Sequence, residues 1–274
     1  MNKTLLVLAL VSAVGAAHAN FVILADDFEG KAVGSNNVGQ NFPVDNTAVP
    51  GPWQLVGTSI GTTISNAQAS GGTQSLFIDR LHATNASWTF GDLNGGSALA
   101  FDPAVTAVTA SSDFMFAPGG GSNSGAIGLD LYGTGGRYAR ILARGDGAVL
   151  FSAPTTSGAL ATFVSTFTVS SSAWFNLQVI QTYVNATSSV FSFAVNGVNL
   201  TSGTSTVAYT LNNAGGVGLT DADLHMTTFS GTFPTLAADY YADNYRVEAV
   251  PEPASMAALG LGLVAIIRRR RNRS

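Results

Sequence analysis

The sequence has no cysteine, and that absence excludes disulfides, thiolate-bound zinc and thiol catalysis together. Charge is scarce too, with only 10% of 274 residues Asp, Glu, Lys or Arg. Between the two ends a single lysine, Lys31, stands with Arg80, Arg137, Arg140, Arg144 and Arg246 against fifteen carboxylates, giving residues 20–250 a net charge of −9. Without clustered cations to neutralise phosphates, nucleic acid is excluded as a partner. No apolar stripe of helical period lasts a dozen residues, which excludes a helical bundle or coiled coil. What the chain has instead is 31 glycines, many Ser and Thr, and short alternating apolar runs. Its length suits one all-β domain with a sizeable core.

Long apolar runs occur only at the ends. Lys3 precedes an uncharged stretch from Leu5 to Val14, and Ala17-His18-Ala19 before Asn20 supplies the small-x-small site of a signal peptidase. Residues 1–19 therefore read as a secretory signal helix, cut between Ala19 and Asn20. At the other end Pro251-Glu252-Pro253 interrupts regular structure. Fourteen uncharged residues come next, Ala254 to Ile267, then Arg268, Arg269, Arg270 and Arg271. As a helix that run would span about 21 Å, and flanking residues with snorkelling arginines would bring it toward the ~30 Å hydrocarbon core. The arginines hold the C-terminus in the cytoplasm and leave the body outside.

This three-part tail resembles the PEP-CTERM sorting signal of Gram-negative bacteria, a Pro-Glu-Pro motif followed by an apolar helix and an Arg-rich end. In that family the tail is recognised by exosortase, a membrane transpeptidase-like enzyme that delivers the protein to the outer surface or matrix. Genomes with this system usually make exopolysaccharide. The resemblance implies that Pro251, Glu252, Pro253 and Arg268 to Arg271 are acted upon by another protein, that the inner membrane holds the chain transiently, and that exopolysaccharide is an associated partner. An ordinary C-terminal anchor is the simpler alternative. The expected organisation is a signal peptide at 1–19, a β-sandwich at 20–249 and a sorting tail at 250–274.

Within the body, Ile127, Leu129 and Leu131 alternate with Gly128, Asp130 and Tyr132, and Ala139, Ile141 and Ala143 alternate with Arg140, Leu142 and Arg144. Gly145-Asp146-Gly147 predicts a hairpin turn after them, and Asn196-Gly197 predicts a second after the strand at 189–195. Such strands with no room for crossover helices imply an antiparallel jelly-roll β-sandwich. Trp174-Phe175-Asn176-Leu177-Gln178-Val179 and Phe193-Ala194-Val195-Asn196-Gly197 resemble strands of concanavalin A-like, or laminin G-like, jelly rolls. Asp26-Asp27-Phe28-Glu29 and Tyr241 to Val247 are similar to their first and last strands.

Function is less legible. Asp130, Tyr132, Arg140 and Arg144 share one strand face and are candidates for a sugar-binding patch, or else the polar side of a half-solvated sheet with Asp and Arg paired across strands. The jelly-roll resemblance implies a structural Ca²⁺ where first and last strands meet, with Asp27, Glu29 and Asp243 as ligands; otherwise no cofactor is indicated. Asp221, Asp223 and His225 form the best acid/base cluster by period two. Gly57-Thr58-Ser59-Ile60-Gly61 spells a nucleophile elbow, but strand-like flanks lack the helix that motif needs. The body has only two Glu, Glu29 and Glu248, one at each end, so the paired Glu of jelly-roll glycosidases is missing. Trp53, Trp88 and Trp174 read as core. A displayed structural protein, a carbohydrate-binding module and a hydrolase stay open, in that order.

Arg268–Arg271→Ala is expected to alter surface delivery while leaving the melting temperature of the body unchanged, since the tail contributes nothing to a sandwich core. Cell fractionation and a thermal melt check both halves.

Overall fold

A computed structural model describes residues 21–36, 44–45, 53, 55–56, 61–79, 88–90, 105–117, 125–133, 136–154, 160–170, 173–202, 205–206, 209–212, 218–228 and 240–251. The expected signal helix, its cleavage residues Ala17, Ala19 and Asn20, and the tail from Glu252 onward, including Pro253 and Arg268 to Arg271, lie outside the described residues. So do positions 57–60 of the nucleophile-elbow motif.

Nineteen strands occur among the described residues. They are β1 (Phe21–Asp26), β2 (Val44–Asp45), β3 (Leu55–Val56), β4 (Gly61–Ser65), β5 (Ser75–Asp79), β6 (Trp88–Phe90), β7 (Val105–Phe116), β8 (Gly125–Gly133), β9 (Gly136–Arg144) and β10 (Ala148–Pro154). After them come β11 (Leu160–Thr168), β12 (Phe175–Asn185), β13 (Ser188–Val195), β14 (Val198–Asn199), β15 (Thr201–Ser202), β16 (Ser205–Thr206), β17 (Tyr209–Asn212), β18 (Leu219–Thr228) and β19 (Tyr240–Pro251). One ten-stranded sheet runs β14-β13-β12-β7-β19-β1-β2, with β17 also on β13 and the β4-β5 pair joined to β19. A seven-stranded sheet runs β11-β10-β9-β8-β18-β6-β3, and β15 pairs with β16. Every pairing is antiparallel. The chain is an all-β antiparallel sandwich, as its alternation predicts.

Both predicted turns form. Gly147 has φ +88° between β9 and β10, and Asn196 and Gly197 take φ +50° and +76°, the left-handed pair that a two-residue hairpin between β13 and β14 demands. Period two then decides which side chains enter the core. On β12, Phe175, Leu177 and Val179 are buried while Asn176, Gln178 and Ile180 are half-buried on the other face. Aromatic rings join the two sheets: Phe151 of β10 lies 5.0 Å from Phe193 of β13, and Tyr138 of β9 lies 6.5 Å from Phe191. Tyr245 of β19 donates its hydroxyl to the Ala222 carbonyl of β18 in the opposite sheet.

The first and last strands meet, with Asp26 opposite Tyr245. Beside that junction, buried Asp26 accepts from the Trp53 indole at 2.6 Å and from the Phe28 amide at 2.8 Å, and pairs with Lys31. Phe28 adopts φ +59°, a conformation rare for a bulky side chain, which the Asp26 carboxylate holds through that amide bond. Trp53 is fully buried between Phe28 and Tyr245, 5.9 and 5.1 Å away. Trp174 differs from expectation: it is only half-buried, its ring 6.5 Å from Tyr241 at a sheet end. The side chain of Trp88 lies outside what is described.

Trp53→Ala is therefore expected to cost about 3 to 5 kcal/mol through a core cavity, and Trp174→Ala less than half of that. Urea denaturation of the two variants checks the ranking.

Candidate functional site

On the face of the seven-stranded sheet turned away from the core, register assembles two clusters that lie far apart in sequence. Asp130 of β8 is opposite Arg140 of β9 on one side and Asp223 of β18 on the other. One register step along, Gly128 lies between Leu142 and His225. A Cβ at Gly128 would stand 1.9 Å from the Ile141 carbonyl oxygen, so only glycine permits this close crossing of β8 and β9. The patch expected from Asp130 and the acid/base group expected from Asp223 and His225 are thus one site. Asp221 lies on the same strand, opposite Tyr132, though its side chain is outside what is described.

The expectation that Asp130 would face solvent is corrected by its surroundings. Its exposure is 0% because β8 is covered on both faces, and polar neighbours close over it. Arg140 grips it with both forks of the guanidinium, Nε to Oδ1 at 2.6 Å and Nη2 to Oδ2 at 2.8 Å. Arg137 Nε lies 2.8 Å from Oδ2, and the Tyr132 hydroxyl donates to Oδ2 at 3.2 Å. Arg137 also donates from Nη2 to the Tyr132 oxygen at 3.3 Å and lies over that ring, 5.6 Å from its centre. Arg144 is not part of the cluster. It forms an ion pair with Asp146 in its own hairpin turn, Nε to Oδ1 at 2.8 Å.

His225, 1% exposed, sits beneath these groups. Its Nε2 is 2.6 Å from Arg140 Nη2, and because a guanidinium has no acceptor, Nε2 must accept. The ring proton therefore sits on Nδ1, 3.2 Å from Asp130 Oδ2. Burial pushes the His225 pKa down to about 3, with Arg140 and Arg137 acting in the same direction against the pull of Asp130, so the imidazole is neutral. Burial alone would raise the Asp130 carboxyl; the N–H edge of His225 and the two guanidiniums outweigh it and hold the group below the usual carboxylate range. Tyr132 is pushed up to about 12, by burial first and then by Asp130.

The expected calcium ligands do not converge, and among the described residues no group of three or more His, Asp or Glu could hold a metal ion. Their oxygens take backbone donors instead. Asp27 is exposed and accepts from the Glu29 amide at 3.1 Å. Glu29 accepts from the Thr73 and Gln74 amides, both at 2.6 Å, which lowers its pKa. A Cβ at Gly72, φ +63°, would lie 2.4 Å from that carboxylate. Asp243 is buried and accepts from the Ser70 and Gly71 amides at 2.8 and 3.1 Å and from Asn244 N at 2.7 Å. Burial pushes its pKa up to about 6, with Asp113 opposite it in register adding to the rise.

The pH dependence of stability is set by these signs. His225 has a folded pKa far below its unfolded value, so its contribution is whole above pH 6.5 and is lost as pH falls toward 3. Asp243 works oppositely between pH 4 and 6, its protonation favouring the fold. Comparison with His225→Gln isolates the histidine. Between pH 7 and 5 the parent is expected to lose about 2 kcal/mol more than the variant, read from urea midpoints.

Residues 249–271 match the PEP-CTERM protein-sorting motif. No curated protein sequence matches the chain. Among solved structures it is similar to a cellulose-induced protein, Cip1, with TM-score 0.51 and 12% identity over 82% of this chain and 96% of that one. It is also similar to a carbohydrate esterase from the Shiga toxin-encoding bacteriophage phi24B, with TM-score 0.49 and 14% identity over 85% and 100%. An endo-β-1,4-glucuronan lyase from the fungus Trichoderma reesei matches with TM-score 0.49 and 9% identity over 69% and 87%. The likeness to Cip1 is one of fold, and the matched PEP-CTERM motif shares residues 249–251 with β19.

Proposed function

We propose that the protein is exported through its N-terminal signal peptide, held by its C-terminal apolar segment in the inner membrane of a Gram-negative bacterium, and passed by an exosortase-type enzyme to the cell surface or matrix. There the sandwich serves as a non-enzymatic displayed body in an exopolysaccharide-rich layer. The observation that carries this reading is that β19 ends at Pro251, the first residue of the Pro-Glu-Pro sequence, so a folded body and a sorting signal abut without a spacer.

Saturation of the Asp130 site supports the absence of catalysis. Each Asp130 oxygen already has a cationic partner, whereas glycosidases need a free carboxylate beside a protonated one. His225 is too buried and too weak a base to take a proton near neutral pH.

Carbohydrate binding is the second reading, favoured by one observation: Tyr132 and Arg137 are half-buried, so a ring and a guanidinium plane rim the site, which suits hydroxyl-rich ligands. The calcium-stabilised form of that reading loses its support, since Glu29 and Asp243 are committed to backbone amides. Binding of the purified protein to a panel of bacterial exopolysaccharides, with and without chelator, separates the two. Display predicts no retention. Retention that is insensitive to chelator and lost at least tenfold in Tyr132→Ala or Arg137→Ala would establish binding. Turnover of glycosidic or ester probes that Asp223→Ala abolishes would overturn the non-enzymatic reading.

A further inference from the structure

The register of the ten-stranded sheet fixes where both ends of the body emerge. Phe21, the first residue of β1, is opposite Ala249, and Pro251 at the end of β19 is opposite Val105 at the start of β7. On the far side of β7, Ala107 is opposite Thr182, just before β12 turns into β13 through Ala186 and Thr187. The start of β1, the end of β19 and the β12–β13 turn therefore share one end of the sheet. The Asn196-Gly197 turn is at the other, where Phe114 of β7 is opposite Phe175 on one side and Ala242 on the other. The eight residues of β13 separate the two ends by about 25 Å.

The sequence beyond Pro251 constrains the first end. Only Glu252 and Pro253 separate Pro251 from the uncharged run Ala254–Ile267, and three residues reach at most about 11 Å even when extended. A bilayer that holds this run must lie within that distance of the strand end. The neighbouring turn is suited to such a place: Val184, Asn185, Ala186 and Thr187 are all exposed, none is charged, and Val184 is 59% exposed. Nothing in that turn is repelled by anionic headgroups, and an exposed valine gains by leaving water.

We propose that this end of the sandwich is its membrane-facing surface in the unprocessed protein, with the Val184–Thr187 turn against the phospholipid headgroup layer and the Asn196-Gly197 turn about 25 Å farther out. The proposal rests on the reading that Ala254–Ile267 enters the bilayer, and adds to it an orientation and a contact surface. This orientation has two consequences. Phe21 and Pro251, which border the two junctions, both lie at the membrane-facing end. A sorting enzyme must also work flush against the sheet, because Pro251 is still paired with Val105.

The absence of cysteine makes the test direct. The full chain carrying Ala186→Cys or Val198→Cys, both at exposed positions, is labelled with a fluorophore and reconstituted into phosphatidylcholine–phosphatidylglycerol vesicles bearing headgroup nitroxides. At least threefold stronger quenching at position 186 than at 198 is expected. Flotation with the same vesicles reads the underlying insertion. A chain that floats with equal quenching at the two positions, or more at 198, overturns the proposed orientation alone. A chain that does not float overturns the membrane reading and the orientation with it.

Discussion

The last strand among the described residues, β19, is an inner strand of its sheet, and the rest of the architecture depends on that placement. β19 lies between β7 on one side and β1 and β5 on the other, so strands from the first third of the body are held together by residues at its end. Its inward side chains, among them Tyr240, Tyr245 and Val247, are fully buried. The Tyr245 hydroxyl reaches the backbone of β18, which ties the two sheets through a single side chain. A bulge at Asn244, φ +50°, re-aims the strand there and turns Asp243 toward the Ser70–Gly71 loop.

The polar face of the other sheet obeys a different constraint. A carboxylate removed from water must gather cations and donors, and Asp130 gathers two arginines, a tyrosine hydroxyl and the N–H edge of a histidine. Burial first, and then the two guanidiniums, keep His225 neutral against the pull of Asp130. The cluster is self-consistent without a ligand, and its partly exposed rim of Tyr132 and Arg137 is where an outside molecule would first be felt.

Local chemistry was legible in the sequence and long-range register was not. Gly145-Asp146-Gly147 and Asn196-Gly197 announce their turns because the needed backbone angles belong to those residues alone. Asp130 and Asp223 are 93 positions apart, and only the order of strands in the sheet makes them neighbours. Arg137 escaped notice because a bulge at Tyr138 shifts it out of the period-two pattern, placing it opposite Tyr132. The signal was present in the broken alternation of Arg137-Tyr138-Ala139-Arg140. For Asp27, Glu29 and Asp243 the sequence shows the carboxylates but not the loop amides that bond them, which glycine-rich stretches such as Ser70-Gly71-Gly72 offer.

The order of synthesis gives the inner position of β19 a further meaning. A chain made from its N-terminus can form the hairpins β8–β9–β10 and β12–β13 as they emerge, since each pairs near neighbours in sequence. It cannot join β1 to β7 until residues 240–251 exist, because β19 is the strand between them. Closure of the large sheet thus waits for residues 240–251, which emerge immediately before Glu252 and Pro253.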